Sequence, residues 1–126
     1  MSHHVLLAED DRFLRKAAET MLKRNGFTVT GAADGEEALR LARELHPDLV
    51  LLDLIMPKMQ GFDVLAALKA SPETASIPVI VLSNLGQDGD VQLARERGAT
   101  DYIIKSNIAL ESLVERVRTF FAGRAA

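Results

Sequence analysis

The chain has 126 residues, a formal net charge of −3 at pH 7, about half apolar residues and no cysteine. That length suits one domain with a single core, and the missing cysteine excludes disulfides, thiolate metal sites and cysteine nucleophiles. The slightly acidic balance gives no general attraction to nucleic acid, no apolar run is long enough for a bilayer, and the start lacks a signal-peptide core, so cytoplasmic residence is expected.

His3 and His4 stand side by side near the chain start, where fraying is expected rather than metal ligation. The first apolar run covers residues 5–8 and is followed at once by Glu9, Asp10 and Asp11. Phe13, Ala17 and Met21, with Leu14, Ala18 and Leu22 beside them, then repeat at helical spacing up to Asn25 and Gly26, a pair suited to ending a helix. A second run spans 28–32. Asp34 with Glu37 three places on predicts a capped helix carrying Ala38, Leu41, Ala42 and Leu45 on one face, stopped at His46 and Pro47.

The third run, 49–52, leads into Asp53, and Phe62, Leu65 and Leu68 mark a short helix closed by Ser71 and Pro72. The fourth run, 79–82, leads into Ser83; a helix follows from about 88 to 97, ended by Gly98. The fifth run, 102–104, leads into Lys105. Leu110, Leu113, Val114, Val117, Phe120 and Phe121 then form the clearest amphipathic stripe, whose two phenylalanines are expected in the core, and the tail 123–126 is expected to fray.

Apolar runs without polar alternation suit strands covered on both faces, and their strict alternation with helices predicts one doubly wound (βα)5 domain around a parallel sheet. Ligands of such sheets bind beyond the carboxyl ends of the strands. Glu9, Asp10, Asp53, Ser83 and Lys105 all fall there. Converging carboxylates imply a hard cation with oxygen ligands, Mg²⁺ being the expectation, and a phosphoryl group is its natural guest. One carboxylate would attack phosphorus while Lys105 and Ser83 bind phosphoryl oxygens. Taken singly, each residue has a plain structural reading: Asp10 or Asp11 could cap the first helix, and a serine or lysine at a strand end is commonly solvated.

Residues 5–11 (VLLAEDD), 47–57 (PDLVLLDLIMP) with Gly61, 78–83 (PVIVLS) and 98–105 (GATDYIIK) resemble the receiver domains of two-component response regulators, similar to the stand-alone chemotaxis type. The likeness covers nearly the whole chain. It implies a flavodoxin-like sheet of order 2-1-3-4-5, with Asp53 as the phosphoacceptor, Ser83 as the switch hydroxyl, Lys105 as the site lysine and Tyr102 as an aromatic switch that turns inward. It further implies Mg²⁺ held by Asp10, Asp53 and the backbone carbonyl of Ile55, with Glu9 acting through water, and Asp11 as a surface or capping residue. The partners implied are a sensor histidine kinase or histidine phosphotransfer protein and a downstream protein, or a second copy of the chain, met through the fourth helix, fifth strand and fifth helix. Such a chain catalyses only its own phosphoryl transfer and dephosphorylation. Read as complete, 1–126 is a receiver domain without an output domain, with no direct nucleic-acid or membrane contact.

Two positions depart from the family pattern. Ser106 follows Lys105 where proline is usual, so the loop before the last helix is expected to differ, with Ser106 or Asn107 as its cap. Ile55 and Leu85 are apolar where the family often has polar residues that place water, so slow autodephosphorylation is expected. The glycines at 86 and 89 mark 84–90 as a candidate mobile element. Among rival functions, a flavin or nucleotide carrier would need a Gly- or Ser/Thr-rich loop where Glu9, Asp10 and Asp11 stand. An aspartate-nucleophile phosphatase would need a second aspartate where Ile55 stands. A phosphorylation-independent interaction domain is the remaining alternative.

Overall fold

A computed structural model describes residues 3–84, 88–105 and 109–124. Each apolar run becomes a strand and each amphipathic segment a helix: β1 (His4–Ala8), α1 (Arg12–Arg24), β2 (Thr28–Ala32), α2 (Gly35–Leu45), β3 (Leu49–Leu52), α3 (Gly61–Ala70), β4 (Val79–Ser83), α4 (Asp88–Glu96), β5 (Asp101–Ile104) and α5 (Leu110–Arg124). The strands are all parallel and lie in the order β2-β1-β3-β4-β5. This is the doubly wound order expected from the resemblance.

Side chains alternate across the strands, and the two faces collect separate cores. Leu6, Ala8, Val50, Leu52, Val79 and Val81 meet α2, α3 and α4 through Ala38, Ala42, Val64, Leu65, Leu68 and Ala94. On the other face, Val5, Leu7, Leu49, Leu51, Ile80 and Leu82 meet α1 and α5 through Ala18, Leu22, Leu113, Val114, Val117 and Phe121. Each large aliphatic side chain withdrawn from water in this way contributes about 2 kcal/mol.

Caps place the helices as their sequences specify. Asp11 Oδ1 accepts the N–H groups of Phe13 and Leu14 at 2.9 and 3.1 Å, so Asp11, not Asp10, starts α1. Asp34 accepts from the Glu37 N–H at 2.8 Å, and the Glu37 carboxylate accepts from the Ala33 N–H at 2.8 Å. His46, at φ 47°, and Gly26, at φ 92°, turn the chain out of α2 and α1.

Several expectations need correction. Phe13 lies off the buried stripe of α1 and is 87% exposed. His3 and His4 are ordered by contacts: the His3 ring stacks on Phe121 at 4.0 Å, while His4 opens β1 and its Nε2 lies 2.8 Å from Thr30 Oγ1. Gly123 continues α5, which runs to Arg124. Phe121 is in the core, as expected, with Phe120 packed against it. Asp88 begins α4 and Gly89 belongs to its first turn, while Leu85 and Gly86 lie outside the described residues. Among the described residues, no helix is long and apolar enough to cross a membrane.

One glycine bears directly on the carboxyl edge of the sheet. A Cβ on Gly61 would come within 2.4 Å of both the Asp53 carbonyl oxygen and Leu54 Cα, and the Gly61 N–H bonds the Leu54 carbonyl at 2.9 Å. Backbone cannot yield there as a side-chain tip can. Gly61→Ala is expected to lower the unfolding free energy by about 2–3 kcal/mol in urea denaturation, and a loss below about 0.5 kcal/mol would contradict this packing.

Candidate functional site

Strands β1, β3, β4 and β5 deliver their following residues to one edge of the sheet. Glu9 and Asp10 leave β1, Asp53 leaves the neighbouring β3, Ser83 ends β4, and Lys105 leaves β5. Because β3 lies between β1 and β4, Asp53 stands between the acidic pair and the hydroxyl. Glu9, Asp53 and Ser83 are buried, whereas Asp10 is exposed.

One carboxylate oxygen each from Glu9, Asp10 and Asp53 lies within 4.8 Å of the others. Lys105 reaches back across the sheet edge, its Nζ donating to Glu9 Oε1 at 2.5 Å and to Asp53 Oδ2 at 3.0 Å. The Asp53 Oδ1 accepts from the Ile55 N–H at 3.2 Å, and Glu9 Oε2 accepts from the Asp11 N–H at 3.1 Å. Thus Lys105 turns into the site whatever follows it; Ser106 and Asn107 lie outside the described residues.

Burial first, together with the Asp53 charge, pushes the Glu9 carboxyl up to about 7 against the opposing pull of Lys105. Burial also disfavours the Lys105 ammonium, but its hydrogen bonds to Glu9 and Asp53 and their charges outweigh this and hold its pKa above the ordinary lysine value. Tyr102, on β5, packs half-buried against the α3 and α4 side of the core, with the Ser83 hydroxyl near enough to favour its ionised form. Burial, then the charge of Asp90, raises the Tyr102 phenol above its usual value. The two residues of the switch pair implied by the resemblance stand on adjacent strands, β4 and β5. Ile55 is 57% exposed on the rim of the site.

Three carboxylates facing one ammonium leave an excess of negative charge, and an all-oxygen donor set of this kind fits a hard divalent cation. The arrangement therefore suits such a cation with a carboxylate beside it. Arg15, which gives no signal in the sequence because it reads as one of several solvated charges on α1, also touches the site: its Nη1 donates to the Glu9 carbonyl at 2.7 Å.

The raised Glu9 pKa sets a sign for stability. Between the unfolded value of about 4.5 and the folded value of about 7 the native state holds the extra proton, so its stability falls as pH rises through that window and levels off above it. Without divalent cations, wild type is expected to lose on the order of 2 kcal/mol relative to Glu9→Gln across this range in pH-dependent urea denaturation. A flat or opposite slope would contradict the burial of this carboxylate.

Residues 5–118 match the model of the response regulator receiver domain. Among curated proteins, the chain is 42% identical over 101 residues to the transcriptional regulatory protein AfsQ1 of Streptomyces coelicolor, covering 80% of this chain and 44% of that protein. It is 40% identical over 118 residues to the DNA-binding response regulator MtrA of Mycobacterium tuberculosis, covering 94% of this chain and 50% of that protein. The chain thus spans about half the length of these relatives. Among solved structures, the receiver domain of the Francisella response regulator 1452 superposes with a TM-score of 0.88 at 29% identity, covering 98% of this chain and 99% of that one. With its five-stranded 2-1-3-4-5 sheet and a family match over nearly its whole length, the chain belongs to the response regulator receiver domains of two-component systems.

Proposed function

We propose that Asp53 is the phosphoacceptor of this receiver domain and that its phosphorylation changes a partner-binding surface. The observation that carries this reading is the position of Asp53, hydrogen-bonded by Lys105 and the Ile55 N–H, within 4.8 Å of the Glu9 and Asp10 carboxylates. Glu9 is the weaker candidate for nucleophile because burial raises its carboxyl pKa and so favours the protonated, less nucleophilic form. Asp10, exposed at the rim, is a natural cation ligand.

In this reading Asp10, Asp53 and the Ile55 carbonyl hold Mg²⁺ directly and Glu9 acts through water. When bound, the cation screens the carboxylates and neutralises phosphoryl oxygens. An Asp53 carboxylate oxygen forms a bond to phosphorus as the P–N bond of a phosphohistidine breaks, and the imidazole leaves with its electron pair and takes up a proton. Lys105 moves part of its charge from the carboxylates to a phosphoryl oxygen, and the Ser83 hydroxyl donates to another. Phosphorylation thereby alters the contact between Ser83 and Tyr102, which carries the change to the α4, β5 and α5 face.

That face carries a groove lined by Tyr102, Ile104, Glu111, Glu115 and Arg116, with Arg116 paired to Asp101 at 2.5 Å. It suits a protein partner or a second copy of the chain. The phosphoryl donor is a sensor histidine kinase or a histidine phosphotransfer protein, which implies a cytoplasmic setting. Activity is confined to the domain's own phosphorylation and dephosphorylation. AfsQ1 and MtrA are described as a transcriptional and a DNA-binding regulator. In the present chain the matched segment is the controlling switch, and the acidic net charge gives it no direct role on nucleic acid.

Incubation with Mg²⁺ and acetyl phosphate should add the mass of one phosphoryl group to wild type and none to Asp53→Asn, as an acid-stable, base-labile adduct. No gain in folded wild type at saturating Mg²⁺ would favour the phosphorylation-independent interaction domain. With apolar Ile55 on the rim, the adduct should then decay with a half-life of about minutes or longer, and decay within seconds would contradict the reading that this position offers no polar group to place attacking water.

A further inference from the structure

We infer that Arg15 is a positioning residue for the acidic site, holding the Glu9 to Asp10 peptide so that both carboxylates face the cation. The inference rests on the reading of that cluster as a cation site. The chain leaves the sheet at Glu9. Its N–H is still paired, donating to the Ala32 carbonyl of β2 at 3.0 Å, but its carbonyl lies beyond the end of β1 and receives Arg15 Nη1 at 2.7 Å. The carbonyl of Glu9 belongs to the same planar unit as the N–H of Asp10, so the bond to Arg15 fixes the orientation of the peptide from which the exposed Asp10 side chain departs.

Arg15 is itself held. Its Nε lies 4.0 Å from Glu19 Oε1, one turn further along α1, and both side chains are mostly covered, at 16% and 15% exposure. They lie directly over Gly31 of the edge strand β2: a Cβ there would come 2.0 Å from Glu19 Oε1 and 3.1 Å from Arg15 Cδ. The lack of a side chain at position 31 gives the pair its seat. A solvated surface pair would need neither the burial, the glycine, nor the bond into the site.

The sign of the effect separates positioning from simple charge. Removing a guanidinium near three carboxylates should, by Coulomb's law alone, tighten the binding of a cation. Loss of a positioning bond should weaken it, by about tenfold when an outer partner of a metal ligand is removed. The deciding experiment is calorimetric titration with Mg²⁺ at constant pH, with urea denaturation of the same samples. Arg15→Ala is expected to raise the Mg²⁺ dissociation constant about tenfold, and Arg15→Lys, which keeps a donor and the charge, to stay within about threefold of wild type. Gly31→Ala, whose Cβ would displace the tip of Glu19 and crowd Arg15 Cδ at 3.1 Å, should weaken binding in the same direction and decides the matter if Arg15→Ala does not fold. Unchanged or tighter binding in folded Arg15→Ala, or in Gly31→Ala where it stands in, would overturn the role of Arg15 while leaving the cation site intact. Failure of wild type to bind Mg²⁺ would overturn both.

Discussion

Two carboxylates buried side by side, Glu9 and Asp53, are the constraint around which this domain is arranged. Burial makes their charges costly, and proximity makes them repel. A single ammonium, Lys105, touches both, at 2.5 and 3.0 Å, and must cross the edge of the sheet from β5 to do so. It cannot satisfy three acidic groups. The site is consequently left with an excess of negative charge, which suits a divalent cation.

The fold exists to hold that unfavourable cluster in place. A sheet buried on both faces fixes where β1, β3, β4 and β5 end, and the strand order puts Asp53 between the acidic pair and Ser83. Close backbone packing behind the site, as at Gly61, leaves the loop after Asp53 little freedom, whereas Ser83 and Tyr102 stand on the adjacent strands β4 and β5, between the site and the outer face. On the proposed reading, a new charge at Asp53 would be met by Lys105 and Ser83. Both adjoin β5, so on that reading a shift in either would reach this strand.

Much of this was legible in the sequence, for physical reasons. Uninterrupted apolar runs alternating with helical stripes permit few packings other than a doubly wound sheet, and the caps at Asp11 and Asp34 sit where their carboxylates can accept helix N–H groups. The acidic cluster was legible because strand ends in such a sheet converge. What escaped depends on contacts between residues distant in sequence. Phe13 has helical spacing yet lies exposed, since periodicity marks a stripe without saying how wide a face the sheet covers. His3 looked like a frayed end, but Phe121, 118 positions later, supplies a ring for it to stack on. Arg15 and Gly31 meet only once α1 is laid over the edge strand.

The central claim is that one carboxylate in this crowd, Asp53, receives the phosphoryl group. Borohydride reduction of the phosphorylated protein converts an acyl phosphate to an alcohol, and peptide mapping then locates the modified residue. The account predicts homoserine at position 53 and unmodified Glu9 and Asp10. Reduction product at Glu9 or Asp10, with Asp53 intact, would contradict it.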